Sequence, residues 1–276
     1  MAGVSESVSS EPWTGASVAP GTVRRCPAPS LSDFVEGFVK PGTPAVFEGM
    51  LGEWPALRKW NLEFFRQHYA ATQVLTFPVQ DRLIQANAER GSANDLRALD
   101  DCLLSVGRHD GADGVAVTTW FTGLPSTLWE DVRVPELCAG ARWMRSRLWI
   151  TPATTSSPTH QDLYENLYAV VQGAKRFYLY PPRPRDVMYP YSSWSRAPNI
   201  GRVNPERPDF ERFPRFRQAQ AVIADVRPGD VLFLPSLWWH FTSSIETTIA
   251  VNFWWARGWK LPLAWLASTY REWRGI

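Results

Sequence analysis

Residues 159–182, THQDLYENLYAVVQGAKRFYLYPP, set the imidazole of His160 and the carboxylate of Asp162 one residue apart, with the ammonium of Lys175 further on. The rest of the run reads as hydrophobic sheet, where a charged group is costly unless it meets a partner. Residues two apart on a strand share a face, so His160 and Asp162 present their groups to one point. A neutral imidazole and a carboxylate are both ligands for a divalent first-row metal. With 4 His and 27 acidic residues in 276 positions, a His-x-acid triplet arises readily by chance, so a third ligand is needed to give it meaning. His68 falls in a surface helix and His109 in the loop RHDGADG, whereas His240, in PGDVLFLPSLWWHFTSS, lies on an aromatic strand. A lone His there is more often a core side chain. Together with His160 and Asp162 it makes a two-His, one-carboxylate set, which holds iron(II) on one face and leaves positions open for other ligands.

Lys175 extends the constellation. Reading Gln172-Gly173 as the centre of a two-residue hairpin turn pairs Val171 with Ala174 and sets Lys175 opposite Val170, which has the parity of His160, Asp162 and Asn166. On a strand unbroken from 160 to 172, Lys175 then projects into the interior that holds the metal. An inward Lys needs an anion, and the distal carboxylate of a chelating 2-oxo acid would serve. The alternative is a Lys whose stem snorkels to the rim.

These groups need a sheet to carry them. After residue 143 short apolar runs succeed one another, RLWIT, YENLYAVV, KRFYLYP, AVIADV, DVLFLP, WWHFTS and TIAVNFWW, with turns at Gly173, Pro228-Gly229 and Pro235-Ser236. This predicts a mainly β fold, an antiparallel sandwich or barrel with flanking helices. Ahead of it, SLSDFVEGFV (30–39) and residues 61–69 have helical spacing, PGTPAVFEGM gives a turn and a strand, VLTFPV and VAVTTWF read as strands, and ANDLRALDDCLLSV as a helix. Residues 1–22, rich in Ser, Gly, Ala and Pro, read as a mobile tail, with order starting near Pro27. A single domain is expected over 23–276, with a β core at 143–258 and a C-terminal helix at 259–276.

Composition narrows the function. The 29 basic and 27 acidic residues nearly cancel and form no stripe, so nucleic acid is not an expected partner. Three widely spaced cysteines without a C-x-x-C pair suggest neither a zinc knuckle nor a disulfide framework. Neither an export signal nor a long apolar run is present, so a cytoplasmic location and no membrane are expected. Fifteen Trp, 8 Tyr and 14 Phe suit aromatic-rich strands around a lined pocket, with Trp149, Tyr164, Trp238 and Trp254 as candidates for its wall.

HQDLYENLYAVVQGAKRFYLYPP, PGDVLFLPSLWWH, AVNFWW and PGTPAVFEGMLGEWPALRKW together resemble the small JmjC, or cupin-like, oxygenases that use iron(II) and 2-oxoglutarate, in order and with compatible spacing from about residue 30 to about 258. The resemblance implies a double-stranded β-helix, or jelly roll, with His160, Asp162 and His240 at the iron-ligand positions and Lys175 binding the distal carboxylate of 2-oxoglutarate. It puts Asn166 and Asn252 at polar positions lining that site, and Ser157 where relatives often carry Thr. It also implies O2 as co-substrate and hydroxylation of an unactivated C–H bond, with succinate and carbon dioxide as by-products. One position departs: where several relatives have a Tyr that helps hold 2-oxoglutarate, DGVAVTTWF offers Ala116, with Thr118 or Trp120 as substitutes. A protein or peptide side chain is the first expected substrate, a small molecule or natural product the second, and a cupin-shaped binding protein without catalysis the third. The C-terminal helix is a candidate for a homodimer contact, as in some relatives.

Overall fold

The computed structural model describes residues 21–85, 95–106, 113–141, 143–182, 185–195 and 197–256, with Pro262 and Leu266 beyond them. The chain opens with β1 (Gly21–Thr22), β2 (Arg24–Pro27), α1 (Leu31–Phe34) running on in a π turn over Val35–Val39, and β3 (Ala45–Glu48). Then come α2 (Ala56–Lys59), α3 (Leu62–Tyr69), β4 (Gln73–Gln80), β5 (Leu83–Ile84), β6 (Asp95–Ala98), α4 (Leu99–Val106) and β7 (Asp113–Trp120). Helix starts follow side-chain chemistry: Ser30 accepts the Asp33 amide and Asn61 the Phe64 amide, each satisfying an orphan N–H.

Eight strands form the centre: β8 (Trp143–Thr151), β9 (Ser156–Gln161), β10 (Glu165–Gln172), β11 (Lys175–Tyr180), β12 (Val222–Val226), β13 (Val231–Leu234), β14 (Trp239–Ser244) and β15 (Thr248–Ala256). They sort into two facing sheets. The larger runs β8-β15-β10-β13, extended by β7 and β4 on one side and by β3 and β2 on the other; the smaller runs β9-β14-β11-β12, with β1 at its far edge. β5 links the two, pairing with β4 and, at Leu83 and Ser156, with β9. This is the double-stranded β-helix expected from the sequence.

Alternation along β15 separates the two cores. Val251, Phe253 and Trp255 point outward, where Phe253 meets Trp54 and Trp255 meets Phe34 of the N-terminal helical layer. Ala250 packs in the other cluster, between the sheets, with Val170, Phe177, Leu179 and Leu234. Burying each large ring contributes about 2–3 kcal/mol. Asn252, on the inner face, is an amide in the barrel.

Several expectations are corrected. Gln172-Gly173 is not a hairpin: β10 pairs with β13 and β15, whereas β11 pairs with β12 and β14. The chain instead crosses between sheets at Gly173, whose φ is +72° and where a Cβ would stand 2.1 Å from the Thr247 carbonyl oxygen. Nor is the strand unbroken from 160 to 172, because β9 and β10 lie in opposite sheets with a crossing at 162–164. Period-two alternation gives a strand two faces but does not say which sheet it joins. Of the predicted helix at 93–106, Asp95–Ala98 is an edge strand on β4, held by backbone pairing with Leu96 exposed, and the helix starts at Leu99. Strand pairing also begins at Gly21, ahead of Pro27, because β1 lies parallel to β12 and β2 to β3. Apart from Pro262 and Leu266, the segment expected as a C-terminal helix lies outside the described residues, as do the homodimer contact expected of it and His109.

Candidate metal centre

Antiparallel pairing of β14 with β9 sets His240 directly across from His160, with ring centroids 4.0 Å apart. Asp162 follows the end of β9. Its backbone carbonyl accepts the Leu237 amide at 2.7 Å, in a turn where Leu237 takes a φ of +68°. Beside it the buried Glu165 carboxylate accepts the Ser236 amide at 2.9 Å and the Ser236 hydroxyl at 3.3 Å. The turn leading into His240 is thus fastened to the segment carrying Asp162, and ligand atoms of all three side chains lie within 4.8 Å of one another.

The imidazoles are oriented by their own strands. His160 Nδ1 lies 2.7 Å from the Pro158 carbonyl and His240 Nδ1 3.1 Å from that of Trp238. A carbonyl only accepts, so each Nδ1 is the protonated nitrogen and each Nε2 lone pair is available to a metal. Burial, reinforced by neighbouring His160, pushes His240 down to about 3, so its ring is neutral at physiological pH, as a ligand must be.

Lys175 lies deeper in the same interior. It is 3% exposed, and its Nζ donates to Tyr168 Oη at 3.3 Å and reaches Thr151 Oγ1 at 3.5 Å, which is shared with Ser244 Oγ at 2.9 Å. Both partners are neutral hydroxyls, and burial pushes the ammonium down to about 7. In register, Lys175 pairs with Ser244 and His240 lies four residues earlier on β14, about 13 Å along the strand. That separation along the strand leaves room for a short dicarboxylate. Between them Thr242 Oγ1 is buried without a hydrogen-bond partner, on the inner face shared by His240 and Ser244. The pocket therefore suits a ligand with a carboxylate at one end and metal-binding oxygens at the other.

The remaining predicted residues are also brought to this interior. Asn252 donates to Asn166 Oδ1 at 3.1 Å and accepts the Trp149 indole N–H at 2.8 Å. Ser157 stands across from Thr242; a bulge in β9 turns it to the face of His160 despite the three-residue offset. Of the proposed wall, Trp149 and Trp254 meet edge to face at 6.5 Å, Trp238 donates to the Gly42 carbonyl, and Tyr164 stacks on Trp143 at 4.5 Å. Ala116 packs with Val79 and Ile84, and Thr118 accepts a hydrogen bond from Arg147, so neither meets Lys175. The hydroxyl near the ammonium comes from Tyr168. Sequence reasoning missed both Tyr168 and Thr151, although parity could have found them: Tyr168 is two residues after Asn166, and Thr151 two after Trp149. His68 packs on Phe64 in α3 and takes no part.

Comparison with known proteins agrees with this fold. The family model described as "Cupin-like domain" matches residues 31–259. "Lysine-specific demethylase 8" of Xenopus tropicalis is 31% identical over 232 residues, covering 83% of this chain and 51% of that protein. "Bifunctional peptidase and (3S)-lysyl hydroxylase JMJD7" of Homo sapiens is 31% identical over 264 residues, covering 82% of this chain and 81% of that protein. "HSPB1-associated protein 1" of Homo sapiens is 29% identical, covering 76% and 47%. The chain spans about half the length of several of these relatives, and most of JMJD7. With a family match over most of its length and the jelly roll it predicts, the chain belongs to the cupin-like domain family and its JmjC group.

Proposed function

We propose that this chain is an iron(II)- and 2-oxoglutarate-dependent oxygenase that hydroxylates an unactivated C–H bond on a protein or peptide side chain. One observation carries the co-substrate assignment: Lys175, a buried ammonium between two neutral hydroxyls, in the barrel that also holds His160, Asp162 and His240. Such a charge is costly by itself and is stabilised by a carboxylate. A protein substrate is favoured because one relative is named a lysyl hydroxylase and others lysine-specific demethylases.

His160, Asp162 and His240 would hold the metal on one face, the two rings fixed by their Nδ1–H bonds to Pro158 and Trp238. Lys175, Tyr168 and Thr151 would bind the distal carboxylate, and the Asn166–Asn252 pair would line the path between. When bound, iron(II) and 2-oxoglutarate supply O2 activation, with oxidative decarboxylation to succinate and carbon dioxide and transfer of one oxygen atom to the substrate. Trp149 and Trp254, edge to face, would line the site's apolar wall, and the strands would hold the target carbon in place.

The test is anaerobic titration of metal-stripped protein with iron(II) and then 2-oxoglutarate, followed by the weak visible charge-transfer band of the chelate. The band should form in the wild type and be lost in Asp162→Ala while the far-ultraviolet circular dichroism is unchanged. A folded wild type that gives no band defeats the assignment.

A further inference from the structure

The inner face of β14 carries His240, Thr242 and Ser244 at two-residue spacing, and the outer two have partners. His240 bonds its own strand through Nδ1, and the Ser244 hydroxyl shares a hydrogen bond with Thr151 beside Lys175. Thr242, between them, is 5% exposed, and its Oγ1 is buried without a hydrogen-bond partner. Pairing fixes where it points. β11 runs beside β14 with no shift in register, setting Leu179 across from His240, Phe177 across from Thr242 and Lys175 across from Ser244. Directly opposed residues share a face of the sheet, and Phe177 and Leu179 both belong to the cluster between the sheets. Ser157, across from Thr242 on β9, supplies no bond to it. Other buried threonines are satisfied: Thr76 donates to the Asp95 carbonyl, Thr159 to that of Val203 and Thr248 to that of Glu246. Among the described residues Thr242 is the one threonine whose hydroxyl is buried and unpaired.

We infer that Thr242 is a positioning residue for the co-substrate, its hydroxyl donating to an oxygen of the bound 2-oxo acid. A buried hydroxyl without a partner is costly, and an apolar group of the same shape would fill the position without that penalty. The hydroxyl here is satisfied only by an acceptor that a ligand brings. Along β14, Thr242 stands about 7 Å from His240 and about 7 Å from Ser244, so a dicarboxylate reaching from the metal centre to Lys175 passes over it. Both ends of such a ligand offer lone pairs, and a hydrogen bond to a charged oxygen is stronger than one between neutral groups. The inference rests on the oxygenase reading for the identity of the ligand, and adds a group that holds it between the metal and the ammonium.

The test uses the full chain under nitrogen: 2-oxoglutarate is titrated calorimetrically into the iron(II)-loaded protein, and the melting temperature is measured before loading. Thr242→Val keeps the branched shape and removes the donor, whereas Thr242→Ser keeps the donor. The valine variant should bind 2-oxoglutarate about tenfold or more weakly. Its ligand-free form should melt no lower than the wild type, because an unpaired polar atom has gone. The serine variant should recover most of the wild-type affinity. 2-Oxobutyrate, which lacks the distal carboxylate, separates the two ends of the ligand. If the valine variant loses affinity for it as well, the hydrogen bond belongs to the chelating end; a loss confined to 2-oxoglutarate assigns it to the distal carboxylate. Equal 2-oxoglutarate affinity in the wild type and the valine variant overturns the inference. So does a loss that comes with a lower melting temperature and that serine does not restore, since that is the mark of packing. A folded wild type with neither binding heat nor the charge-transfer band rejects the oxygenase reading itself, whereas the band with equal affinities rejects only the role of Thr242.

Discussion

At the scale of single residues, Lys175 sets stability against binding. Its ordinary value is near 10.5, and burial brings it to about 7 in the folded chain. Below about pH 7 both folded and unfolded chains carry the proton, so the full cost of burying the ammonium is present. Between about 7 and 10.5 the unfolded chain holds more protons, and stability contributed at this position rises with pH. Lys175→Met removes the buried charge and should stabilise the ligand-free chain by about 1–4 kcal/mol at pH 6, a gain that shrinks as the pH approaches 10.5. The same substitution should abolish 2-oxoglutarate binding. In the wild type that affinity should be flat below about pH 7 and fall by up to about tenfold per unit above it, because a carboxylate selects the ammonium form. Urea melts and 2-oxoglutarate titrations over the two pH ranges check both halves. A methionine variant no more stable than wild type and still binding 2-oxoglutarate would remove Lys175 from the site.

At the scale of elements, the site exists because the chain changes sheets twice within a few residues. The crossing at 162–164 puts Asp162 between β9 and β10, and the crossing at Gly173 carries Lys175 from the larger sheet to the smaller, facing Tyr168 across the barrel. Gly173 is held at positive φ with the Thr247 backbone where a Cβ would go. Gly173→Ala should therefore cost about 3–5 kcal/mol in urea unfolding, against little change for Gln172→Ala. A Gly173→Ala chain of wild-type stability would mean that the crossing can relax. These crossings are also where sequence reasoning failed. The alternation of YENLYAVV, the turn at Gly173 and the meeting of His160 with His240 were legible from residue type and period. The hairpin was not, because a glycine turn between two apolar runs looks the same whether the strands pair or diverge. Lys175 was expected inside by a parity argument whose register the structure does not have, and it is inside because β11 faces the barrel from the opposite sheet. Tyr168 was passed over because a tyrosine among apolar residues reads as core, and only the fold shows its hydroxyl ending at the ammonium.

At the scale of the whole molecule, the helical layer stiffens the sheet that carries half the site. Phe34, Trp54 and Phe65 belong to the core on the outer face of that sheet, whose inner face bears Asn166, Tyr168 and Asn252. Asp131 ties this layer together. Its carboxylate, 3% exposed, accepts the Trp60 indole N–H at 2.9 Å and the Lys59 ammonium at 2.6 Å, and its carbonyl accepts the Ala56 amide at 3.0 Å. Lys59 is half exposed, so its share of the pair is small. The buried indole N–H has the larger effect, since losing its acceptor leaves a donor that water cannot reach. Asp131→Ala should lower the urea midpoint by the equivalent of about 1–3 kcal/mol with the slope unchanged. Because Asp131 lies on the far side of the sheet from the barrel interior, 2-oxoglutarate affinity per folded molecule should stay at its wild-type value. A midpoint that does not move would show that the helical layer is held by its aromatic contacts alone. A lowered affinity in folded protein would show that the outer layer sets the spacing of the sheet as well as its stability.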